Sequence, residues 1–276
     1  MRRYEFAGGV AVVTGAASGI GAALAVELAR RGSRLVLLDR DAARLATVAA
    51  PLDAEVRVVD LADGAAVVAA GEEIRAAHPR LRLLVNNAGI ALGGRFDQVT
   101  LAQYEEVIDV NFLAVVRLTH TLLPALRAEP GAHLVTVSSV FGLVAPAGQT
   151  AYAASKFAVR GFSESLRHEL EMNGSPVGVT IVHPGGVRTA ISENARLAKG
   201  LNPEDVQRER ANWRSLLALA PEKAAATIAA AIERRDARVL VGQDAKGAAL
   251  IQRLFPVTYW KHVARDIARR VKRATA

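Results

Sequence analysis

The sequence predicts a single α/β domain built on a doubly wound parallel sheet. Short apolar, β-branched runs alternate with longer alanine-rich segments of helical period along most of the 276 residues. The apolar runs do not alternate with polar residues, which is typical of strands that helices bury on both faces. No linker, internal repeat or low-complexity segment divides the chain, so one domain fits better than two. Such a sheet binds ligands at the carboxyl ends of its strands, where the strand order reverses.

The elements can be assigned in chain order. Strands are predicted over residues 10–13, 35–38, 56–59, 81–85, 134–137, 177–182 and 238–241. Helices are predicted over 20–31 and 42–50, between most of the later strands, and again from about Pro221. The segment 190–220 has helical propensity and carries no predicted strand. We interpret it as an insertion that forms either a lid over the active site or a pair of surface helices.

The net charge of +8 is concentrated near the carboxyl terminus. Residues 1–245 hold 27 basic and 26 acidic side chains, whereas residues 246–276 hold eight basic side chains and one acidic one. We therefore divide the chain into a nearly neutral main domain, residues 1–245, and a basic C-terminal extension, residues 246–276.

The extension predicts a basic amphipathic helix from about Thr258 to Arg273. Its apolar stripe is Trp260, Val263, Ala264, Ile267 and Val271, and its basic face is Lys261, Arg265, Arg269, Lys272 and Arg273. The helix could pack against the domain or a neighbouring subunit, or lie on an anionic membrane surface. A basic helix without a base-reading motif gives only non-specific affinity, so we expect no nucleic-acid partner.

The composition excludes several classes of protein and site. The chain has no cysteine, which removes disulfides, thiolate nucleophiles and Cys-based metal sites. Residues 1–6 lead into a strand without the apolar stretch of an export signal, and no run approaches the ~18 apolar residues of a membrane span. We expect a cytoplasmic protein, peripheral at the membrane if the C-terminal helix binds there.

A glycine-rich turn follows the first strand and opens a helix, in the order Thr14-Gly15-Ala16-Ala17-Ser18-Gly19-Ile20-Gly21. Backbone amides at a helix N-terminus attract phosphate. Asp39 ends the second strand, where a carboxylate accepts hydrogen bonds from adenosine ribose hydroxyls and repels a 2′-phosphate, which favours NAD. The adjacent Arg40 could pair with a 2′-phosphate, so NADP stays the less favoured alternative.

A second cluster follows the strand over 134–137. Tyr152 and Lys156 are spaced i, i+4, so on a helix they lie on one face, and the ammonium should lower the pKa of the phenol. The Ser139 hydroxyl could then hold a substrate oxygen. His183 is interpreted as a packed, hydrogen-bonded histidine, because no second histidine or carboxylate stands at metal-ligand spacing to it. We expect no metal site.

These motifs together resemble the short-chain dehydrogenase/reductase family, in its compact single-domain branch with a Rossmann-like sheet. The resemblance covers nearly the whole chain. It rests on the sequence Thr14-Gly15-x3-Gly19-Ile20-Gly21, Asp60, Asn86-Asn87-Ala88-Gly89, Asn111, Ser139, Tyr152-x3-Lys156 and Pro184-Gly185 with Thr189.

The resemblance implies a role for each matching position. Tyr152 would be the general acid/base, Lys156 would bind the nicotinamide ribose, Ser139 would polarise the substrate oxygen, and Asn111 would hold a water in a proton relay. The implied dinucleotide-binding residues are Gly15, Ser18, Gly19, Ile20, Gly21, Asp39, Arg40, Asp60, Leu61, Asn86, Ala88, Gly89, Tyr152, Lys156, Pro184, Gly185, Val187 and Thr189. The family also implies a homodimer or homotetramer.

The predicted function is an NAD(H)-dependent oxidoreductase that interconverts a secondary alcohol and a ketone on an apolar substrate of steroid-like, terpenoid or acyl character. The apolar loops over 91–94 and 140–146 and the insertion over 190–220 should form the pocket. Arg196, Asn194 and Trp213 of the insertion could reach the substrate. The alternatives are an NADP(H)-dependent ketone or 3-oxoacyl reductase, or a dinucleotide-sensing protein without turnover.

Overall fold

The computed structural model describes residues 3–189, 191, 195–197, 207, 211, 214 and 216–275. Its strands are β1 (Val10–Thr14), β2 (Arg34–Asp39), β3 (Glu55–Val58), β4 (Leu83–Asn86), β5 (Leu92–Gly93), β6 (His133–Val137), β7 (Gly178–Pro184), β8 (Arg196–Leu197) and β9 (Arg238–Val241). Seven of them form one sheet in the order β3-β2-β1-β4-β6-β7-β9, and every pairing in it is parallel. The doubly wound fold predicted from the sequence is confirmed.

Helices connect the strands in the way that parallel pairing requires. They are α1 (Gly19–Arg30), α2 (Ala42–Ala49), α3 (Gly64–Ala77), α4 (Leu101–Ile108), α5 (Ala114–Arg127), α6 (Thr150–Met172), α7 (Pro221–Arg234), α8 (Gln243–Leu254) and α9 (Tyr259–Thr275). A π-helical turn, Asp109–Leu113, joins α4 to α5, and a 3₁₀ turn, Val140–Gly142, follows β6.

The core lies on both faces of the sheet. On one face Val13, Leu37 and Val85 pack in a cluster that includes α1 and α7, and on the other face their neighbours Val12 and Leu84 pack in a cluster that includes α3 and α5. Successive strand residues point to opposite faces, so strands covered by helices on both sides must be apolar throughout. This explains the unbroken apolar runs of the sequence.

The sheet topology fixes where a ligand can bind. The chain leaves β1 for β2 on one side of the sheet, whereas β4 lies on the other side of β1. The connections that leave the carboxyl ends of β1 and β4 therefore diverge and open a crevice between them. The glycine-rich turn after β1, the Asn86–Gly89 segment after β4 and Ser139 after β6 all lie at this edge.

The predicted strand positions agree with the structure to within two residues at each end, but one expectation about the insertion is wrong. Residues 190–220 were expected to carry no strand, yet Arg196 and Leu197 form β8, which pairs in parallel with β5. The amide of Arg196 also donates to the carbonyl of Ala91 at 3.0 Å. Most of the predicted helical lid, including Asn194 and Trp213, lies outside the described residues.

The predicted amphipathic helix of the extension is confirmed as α9. Val263 is buried, Trp260, Ala264 and Ile267 are half-buried, and Lys261, Arg265 and Arg269 are exposed. The side chains of Val271, Lys272 and Arg273, which the sequence assigns to the same two faces, lie outside the described part. The apolar stripe therefore packs inward over the part of the helix that the structure describes.

One segment among the described residues, Leu101–Arg127, is long and apolar enough to span a membrane by length and composition. Half of its most apolar 18-residue stretch is buried inside the protein. Leu118, Leu122 and Leu126 of this segment belong to the hydrophobic core on one face of the sheet. Burial of this kind is what a core helix requires.

A chain of polar groups crosses the core near the amino ends of the strands. The Nε2–H of His133 donates to Thr180 Oγ1 at 2.7 Å, and that hydroxyl donates to the carbonyl of Asp236 at 2.7 Å. His133 is fully buried, its Nδ1 has no partner, and Tyr4 lies edge-on to its ring. Burial therefore lowers the pKa of His133 from 6.5 to about 3, and the ring is neutral in the folded protein.

This buried histidine predicts a loss of stability in mild acid. Below pH 6.5, the ordinary pKa of histidine, the unfolded chain binds a proton on this side chain, whereas the folded protein does not. The contribution of His133 to the free energy of unfolding is therefore complete above pH 6.5 and is lost as the pH falls towards 3. We expect a loss of roughly 2 kcal/mol from this group between about pH 7 and pH 5. Urea unfolding of the wild type and of His133→Gln at both pH values measures it. A parallel loss in both proteins would contradict the prediction.

Candidate active site

The start of α1, after the glycine-rich turn, presents backbone amides that its N-cap side chain does not satisfy. Ser18 occupies the N-cap of α1, but its side chain makes no capping hydrogen bond. The first turn of a helix has no intrahelical partners for its amides, so those that follow Ser18 are available to an anion. Gly21 has to be glycine, because a Cβ there would lie 2.1 Å from the carbonyl oxygen of Gly15. The turn therefore fits a phosphate.

Asp39 is tied to the same turn. Its Oδ2 accepts the amide hydrogen of Ala17 at 3.0 Å, and its Oδ1 accepts that of Asp41 at 3.1 Å. Each carboxylate oxygen has a further lone pair for another donor, such as a ribose hydroxyl. The neighbouring Arg40 is exposed. The geometry thus presents a fixed carboxylate beside the phosphate-binding turn and a solvated guanidinium next to it.

Thr14 joins the glycine-rich turn to the segment after β4. Its Oγ1 accepts the amide hydrogens of Asn87 at 3.0 Å and Ala88 at 3.1 Å, while the Asn87 side chain donates back to the carbonyl of Thr14 at 2.9 Å. Asn86 is turned into the protein, where its side chain donates to Thr119 of α5 at 2.9 Å. Sequence reasoning missed Thr14 and Asn87 as organising residues, although both stand inside the motifs it used.

A narrow crevice with almost no free volume lies beside this segment. It is lined by Thr14, Leu61, Asn86, Ala88, Val110, Ala114, Val115 and Leu118. Asp60, which the resemblance assigns to adenine, is exposed, and its Oδ1 accepts the amide hydrogen of Ala62 at 3.0 Å. The predicted residues Leu61, Asn86 and Ala88 thus line one crevice, and Asp60 directly precedes Leu61 in the chain.

Asn111 lies in the π-helical turn between α4 and α5, not in a regular helix. Its Oδ1 accepts the amide hydrogen of Ile90 at 2.8 Å, and its Nδ2 donates to the Ile90 carbonyl and to Ser155 Oγ, both at 3.0 Å. Ser155 in turn donates to the carbonyl of Tyr152 at 2.8 Å. Asn111 therefore links the segment after β4 to the helix of Tyr152. Its predicted part in holding a water stays a prediction.

Ser139 and Tyr152 are brought into contact at the end of β6. The Ser139 hydroxyl lies within reach of a hydrogen bond to the Tyr152 phenol, and Ser139 Oγ accepts the amide hydrogen of Phe141 at 3.1 Å. The Phe141 ring lies edge-on to the Tyr152 ring, with centroids 6.1 Å apart. The phenol predicted as the acid/base therefore stands beside a hydroxyl that can bind the same substrate oxygen and beside an apolar ring.

Lys156 is buried behind this pair. Its Nζ donates to the carbonyl of Val137 at 3.0 Å and lies 5.7 Å from the centroid of the Tyr152 ring. Burial lowers the pKa of Lys156 from 10.5 to about 8. An ammonium has three donors, so two remain for a ribose hydroxyl or water beyond the bond to Val137.

The expected effect of Lys156 on Tyr152 is not what the structure shows. The sequence predicts that the ammonium lowers the pKa of the phenol. In the structure burial raises the pKa of Tyr152 above 10.0, and the hydrogen bond with Ser139 only opposes that rise. The physical reason is desolvation, which penalises the phenolate more than its neighbours stabilise it. The spacing in the sequence could not reveal how much protein surrounds the phenol.

The loop over 184–189 closes the site on the side of β7. Thr189 packs against the glycine-rich turn, because a Cβ on Gly19 would lie 3.0 Å from Thr189 Cβ. Val187 is buried and forms a bridge with Leu219. The loop thus reaches from the end of β7 to the start of α1, as a segment that covers a bound dinucleotide would.

His183 behaves as the interpretation of a packed histidine predicts. It is fully buried, its Nδ1–H donates to the carbonyl of Ser139 at 2.9 Å, and burial lowers its pKa to about 4. The ring is therefore neutral and holds the backbone of Ser139 in place. Sequence reasoning did not anticipate this contact with the proposed catalytic serine.

The segments predicted to form the pocket lie next to one another. The amide of Gly94 donates to the carbonyl of Gly148 at 3.0 Å, which joins the loop after β5 to the loop before α6. β8 pairs with β5 along the same rim. Arg196, proposed as a side chain that could reach the substrate, forms an ion pair with Glu106 of α4 instead. It therefore ties the insertion to the domain.

Taken together, these residues fit a dinucleotide. The unsatisfied amides at the start of α1 suit a phosphate, the fixed Asp39 carboxylate suits a ribose diol, and the buried Lys156 ammonium has donors to spare for a second ribose. All three groups lie at the carboxyl edge of the sheet, and the predicted catalytic set of Asn111, Ser139, Tyr152 and Lys156 is assembled there.

Comparison with known proteins agrees with this geometry. The family model described as short chain dehydrogenase matches residues 9–200. SadH of Mycobacterium tuberculosis, which is named as an oxidoreductase, is 42% identical over 271 residues, covering 96% of this chain and 97% of its own. Dehydrogenase/reductase SDR family member 7B of Xenopus laevis is 32% identical over 275 residues, covering 95% and 83%.

Solved structures give the same result. A short-chain dehydrogenase/reductase from Burkholderia phymatum in complex with NAD is 30% identical, with a TM-score of 0.82 over 91% of this chain and 94% of its own. A metagenomic short-chain oxidoreductase in complex with NADP is 32% identical, with a TM-score of 0.67 over 85% and 97%. The structural neighbours thus include complexes with each of the two dinucleotides.

Proposed function

The chain belongs to the short-chain dehydrogenase/reductase family of oxidoreductases, and on that premise we propose that it interconverts a secondary alcohol and a ketone on an apolar substrate with NAD(H). The observation that carries the proposal is the contact between the Ser139 hydroxyl and the Tyr152 phenol above a buried Lys156 ammonium. This arrangement can hold an alcohol oxygen and exchange its proton. NADP(H)-dependent reduction of a ketone or 3-oxoacyl group is the second candidate.

The residues of this chain divide the work of the proposed reaction. In reduction, the protonated Tyr152 gives its proton to the ketone oxygen while Ser139 holds the same oxygen, and in oxidation the phenol has to release its own proton before it accepts that of the alcohol hydroxyl. The bound dinucleotide takes up or supplies the hydride. Ser139 opposes the rise in the pKa of Tyr152 and so favours the phenolate that forms during proton transfer. The remaining donors of the Lys156 ammonium are available to the nicotinamide ribose.

Removing the phenol hydroxyl tests the proposed acid/base. Tyr152→Phe should lower turnover by about 10²-fold or more, because the proton then has no positioned acceptor. Binding of NADH should stay within about threefold of the wild type, since the ring and Lys156 remain. Turnover is followed by dinucleotide absorbance and binding by fluorescence titration.

Tyr4→Phe is the matched control, because Tyr4 is buried beside Phe6 and His133 at the amino ends of the strands, and it should keep full turnover. Retained turnover in Tyr152→Phe would show that the assigned acid is wrong.

A wild type that binds the dinucleotide but turns over nothing in a panel of bulky apolar secondary alcohols, ketones and polyols would favour a sensing protein. Faster oxidation of polyols would remove the proposed substrate class.

The preference for NAD rests on Asp39. Its carboxylate is fixed at the end of β2 by the amides of Ala17 and Asp41, where it would repel a 2′-phosphate. Arg40 is exposed, and a guanidinium there could offset the repulsion by turning towards the phosphate. We propose that the fixed carboxylate outweighs the exposed cation.

The choice of dinucleotide is tested by two substitutions. Wild type should bind NADH about tenfold or more tightly than NADPH, and Asp39→Ala should reduce that ratio by about tenfold through loss of both the ribose hydrogen bonds and the repulsion. Arg40→Ala should leave NADH affinity unchanged. Parallel fluorescence titrations of the three proteins with NADH and NADPH measure the six affinities. Tighter binding of NADPH by the wild type, lost in Arg40→Ala, would assign the opposite specificity.

The apolar character of the substrate is inferred from the loops around Ser139 and Tyr152. Phe141 stands beside Tyr152, and Leu92, Leu143 and Val144 supply the loops with buried apolar side chains. A pocket walled in this way favours a hydrophobic alcohol or ketone over a sugar or a charged acid. We also expect a homodimer or homotetramer, as is common in the family, and multi-angle light scattering measures it.

Contact of the extension with an anionic membrane is a separate proposal. Leu254, Phe255 and Val257 are exposed at the junction of α8 and α9, and Val257 is 90% exposed. Lys261 and Arg265, also exposed, stand on the following turns. Apolar side chains flanked by basic ones suit the boundary between headgroups and acyl chains.

Vesicle flotation tests this contact. The wild type should float with phosphatidylglycerol-containing vesicles and not with pure phosphatidylcholine, and substitution of Leu254 and Val257 by serine should weaken binding about tenfold or more through loss of apolar burial. Met172→Ser, a change at an 86% exposed residue on α6, is the control. Equal flotation of the wild type and the double variant would overturn the proposal.

A further inference from the structure

Two loops that border the proposed reaction centre are both held by helices from the end of the chain. Asp244, on α8, accepts the amide hydrogen of Gly186 in the 184–189 loop at 2.6 Å. Tyr259, the first residue of α9, accepts through its hydroxyl the amide hydrogen of Ala145 in the 140–146 loop at 3.1 Å. α8 also packs against the 3₁₀ turn that follows Ser139. The end of the chain therefore contacts both walls of the site.

The Asp244 carboxylate fits into a notch that only glycine allows. A Cβ on Gly185 would lie 2.3 Å from both carboxylate oxygens, and a Cβ on Gly242 would lie 2.4 Å from Oδ1. These glycines follow directly after β7 and β9, whose ends pair through Pro184 and Val241. The two strand ends thus leave a space between their backbones that the carboxylate fills.

The bond from Asp244 completes the anchoring of one peptide. The carbonyl of Gly186 accepts the amide hydrogen of Leu219 at 3.1 Å, while its amide is held by Asp244. Before it, Gly185 donates to Val241 at 2.9 Å, and after it Arg188 donates to Leu219 at 2.9 Å. Fixing Gly186 on both sides sets the path of the loop from His183, beneath Ser139, to Thr189, beside Gly19.

The contact of Tyr259 acts on the other wall. Ala145 is exposed and lies in the loop that begins at Ser139, so its amide would otherwise face solvent. The hydroxyl that receives it stands at the start of a helix whose Val263 is buried and whose His262 ring stacks on Phe255, with centroids 4.5 Å apart. Tyr259 is therefore held on a packed hairpin of α8 and α9.

We propose that Asp244 and Tyr259 are positioning residues through which α8 and α9 brace the active site, with Asp244 fixing the loop that covers the nicotinamide end of the dinucleotide and Tyr259 fixing the loop that walls the substrate. For the ligands that the two loops bind, the inference rests on the proposed function. For the contacts by which Asp244 and Tyr259 hold the loops, it rests on the geometry alone. The two residues act on different ligands, so their effects should separate.

The first test measures the loop without any ligand. Hydrogen–deuterium exchange of the dinucleotide-free protein should show faster exchange of peptides spanning 184–189 in Asp244→Ala, about tenfold or more, with exchange in β4 unchanged. Asp244→Asn keeps an oxygen that can accept the amide hydrogen, so it should recover most of the protection. Gln243→Ala, an exposed neighbour on the same helix turn, is the control. Equal exchange in the wild type and Asp244→Ala would overturn the brace.

The second test measures the consequence for ligands. Asp244→Ala should weaken NADH binding about tenfold by fluorescence titration, and Asp244→Asn by about threefold or less. Tyr259→Phe should leave NADH binding unchanged and raise KM for the alcohol about threefold or more with kcat within about twofold. Unchanged values in both variants would overturn the proposed positioning.

The two proposals fail in distinguishable ways. A wild type that binds neither NADH nor NADPH would refute the proposed function, while the exchange experiment would still decide whether Asp244 holds the loop. A wild type that binds and turns over normally, with Asp244→Ala and Tyr259→Phe indistinguishable from it, would refute the brace alone. If Asp244→Ala fails to fold, Tyr259→Phe carries both measurements, with exchange of peptides spanning 140–146 as the first readout and KM for the alcohol as the second; wild-type values in both would overturn the brace.

Discussion

The buried ammonium of Lys156 is the group to which the rest of the site has to adapt. It is 2% exposed, donates to the carbonyl of Val137 and has its pKa lowered to about 8 by desolvation. A cation in this position is costly unless its donors are used, so neighbouring groups make room for it. Gly89 approaches so closely that a Cβ there would lie 3.3 Å from Nζ, and Ser138 donates to the Lys156 carbonyl at 2.8 Å. The same burial that lowers the pKa of this ammonium raises that of Tyr152, so near neutral pH the phenol holds its proton beside a cation.

Around Lys156, side chains hold the loops in place of the backbone hydrogen bonds that pair the strands of the sheet. Beyond the strand ends the backbone groups have no ladder partners, and a buried amide without a partner is costly. Thr14 accepts two such amides after β4, Asn111 holds Ile90 on both sides, Asp39 holds the glycine-rich turn, and Asp244 holds Gly186. Each of these residues is polar because it replaces a missing backbone partner. A set of irregular loops becomes a fixed platform in this way, which is the condition for orienting a proton donor and a dinucleotide against one substrate atom.

The sequence predicts features that depend on residues close together along the chain and misses those that depend on contacts between distant residues. The seven long strands and the i, i+4 pair of Tyr152 and Lys156 are local patterns, so the fold and the grouping of the predicted residues could be read from the chain. The two-residue β8 has no period to detect, because its pairing with Leu92 and Gly93 is set by contacts distant in sequence. The π-helical turn at Asn111 is equally invisible, since an asparagine within a helical segment has no signature of its own. The rise in the pKa of Tyr152 depends on how many atoms surround it, and spacing carries no information about that.

In the extension, the boundary set by net charge does not coincide with a boundary of the secondary structure. The charge divides the chain between residues 245 and 246, where a nearly neutral part gives way to a strongly basic one, yet this boundary falls inside α8, which begins at Gln243 and carries Asp244 against the 184–189 loop. The basic residues Lys261 and Arg265 are exposed on the helix whose first residue holds Ala145 and whose Val263 is buried. The face that braces and the face that is charged are therefore opposite faces of one helix. A partner that binds the charged face can do so without displacing Tyr259, so docking and catalysis can operate together.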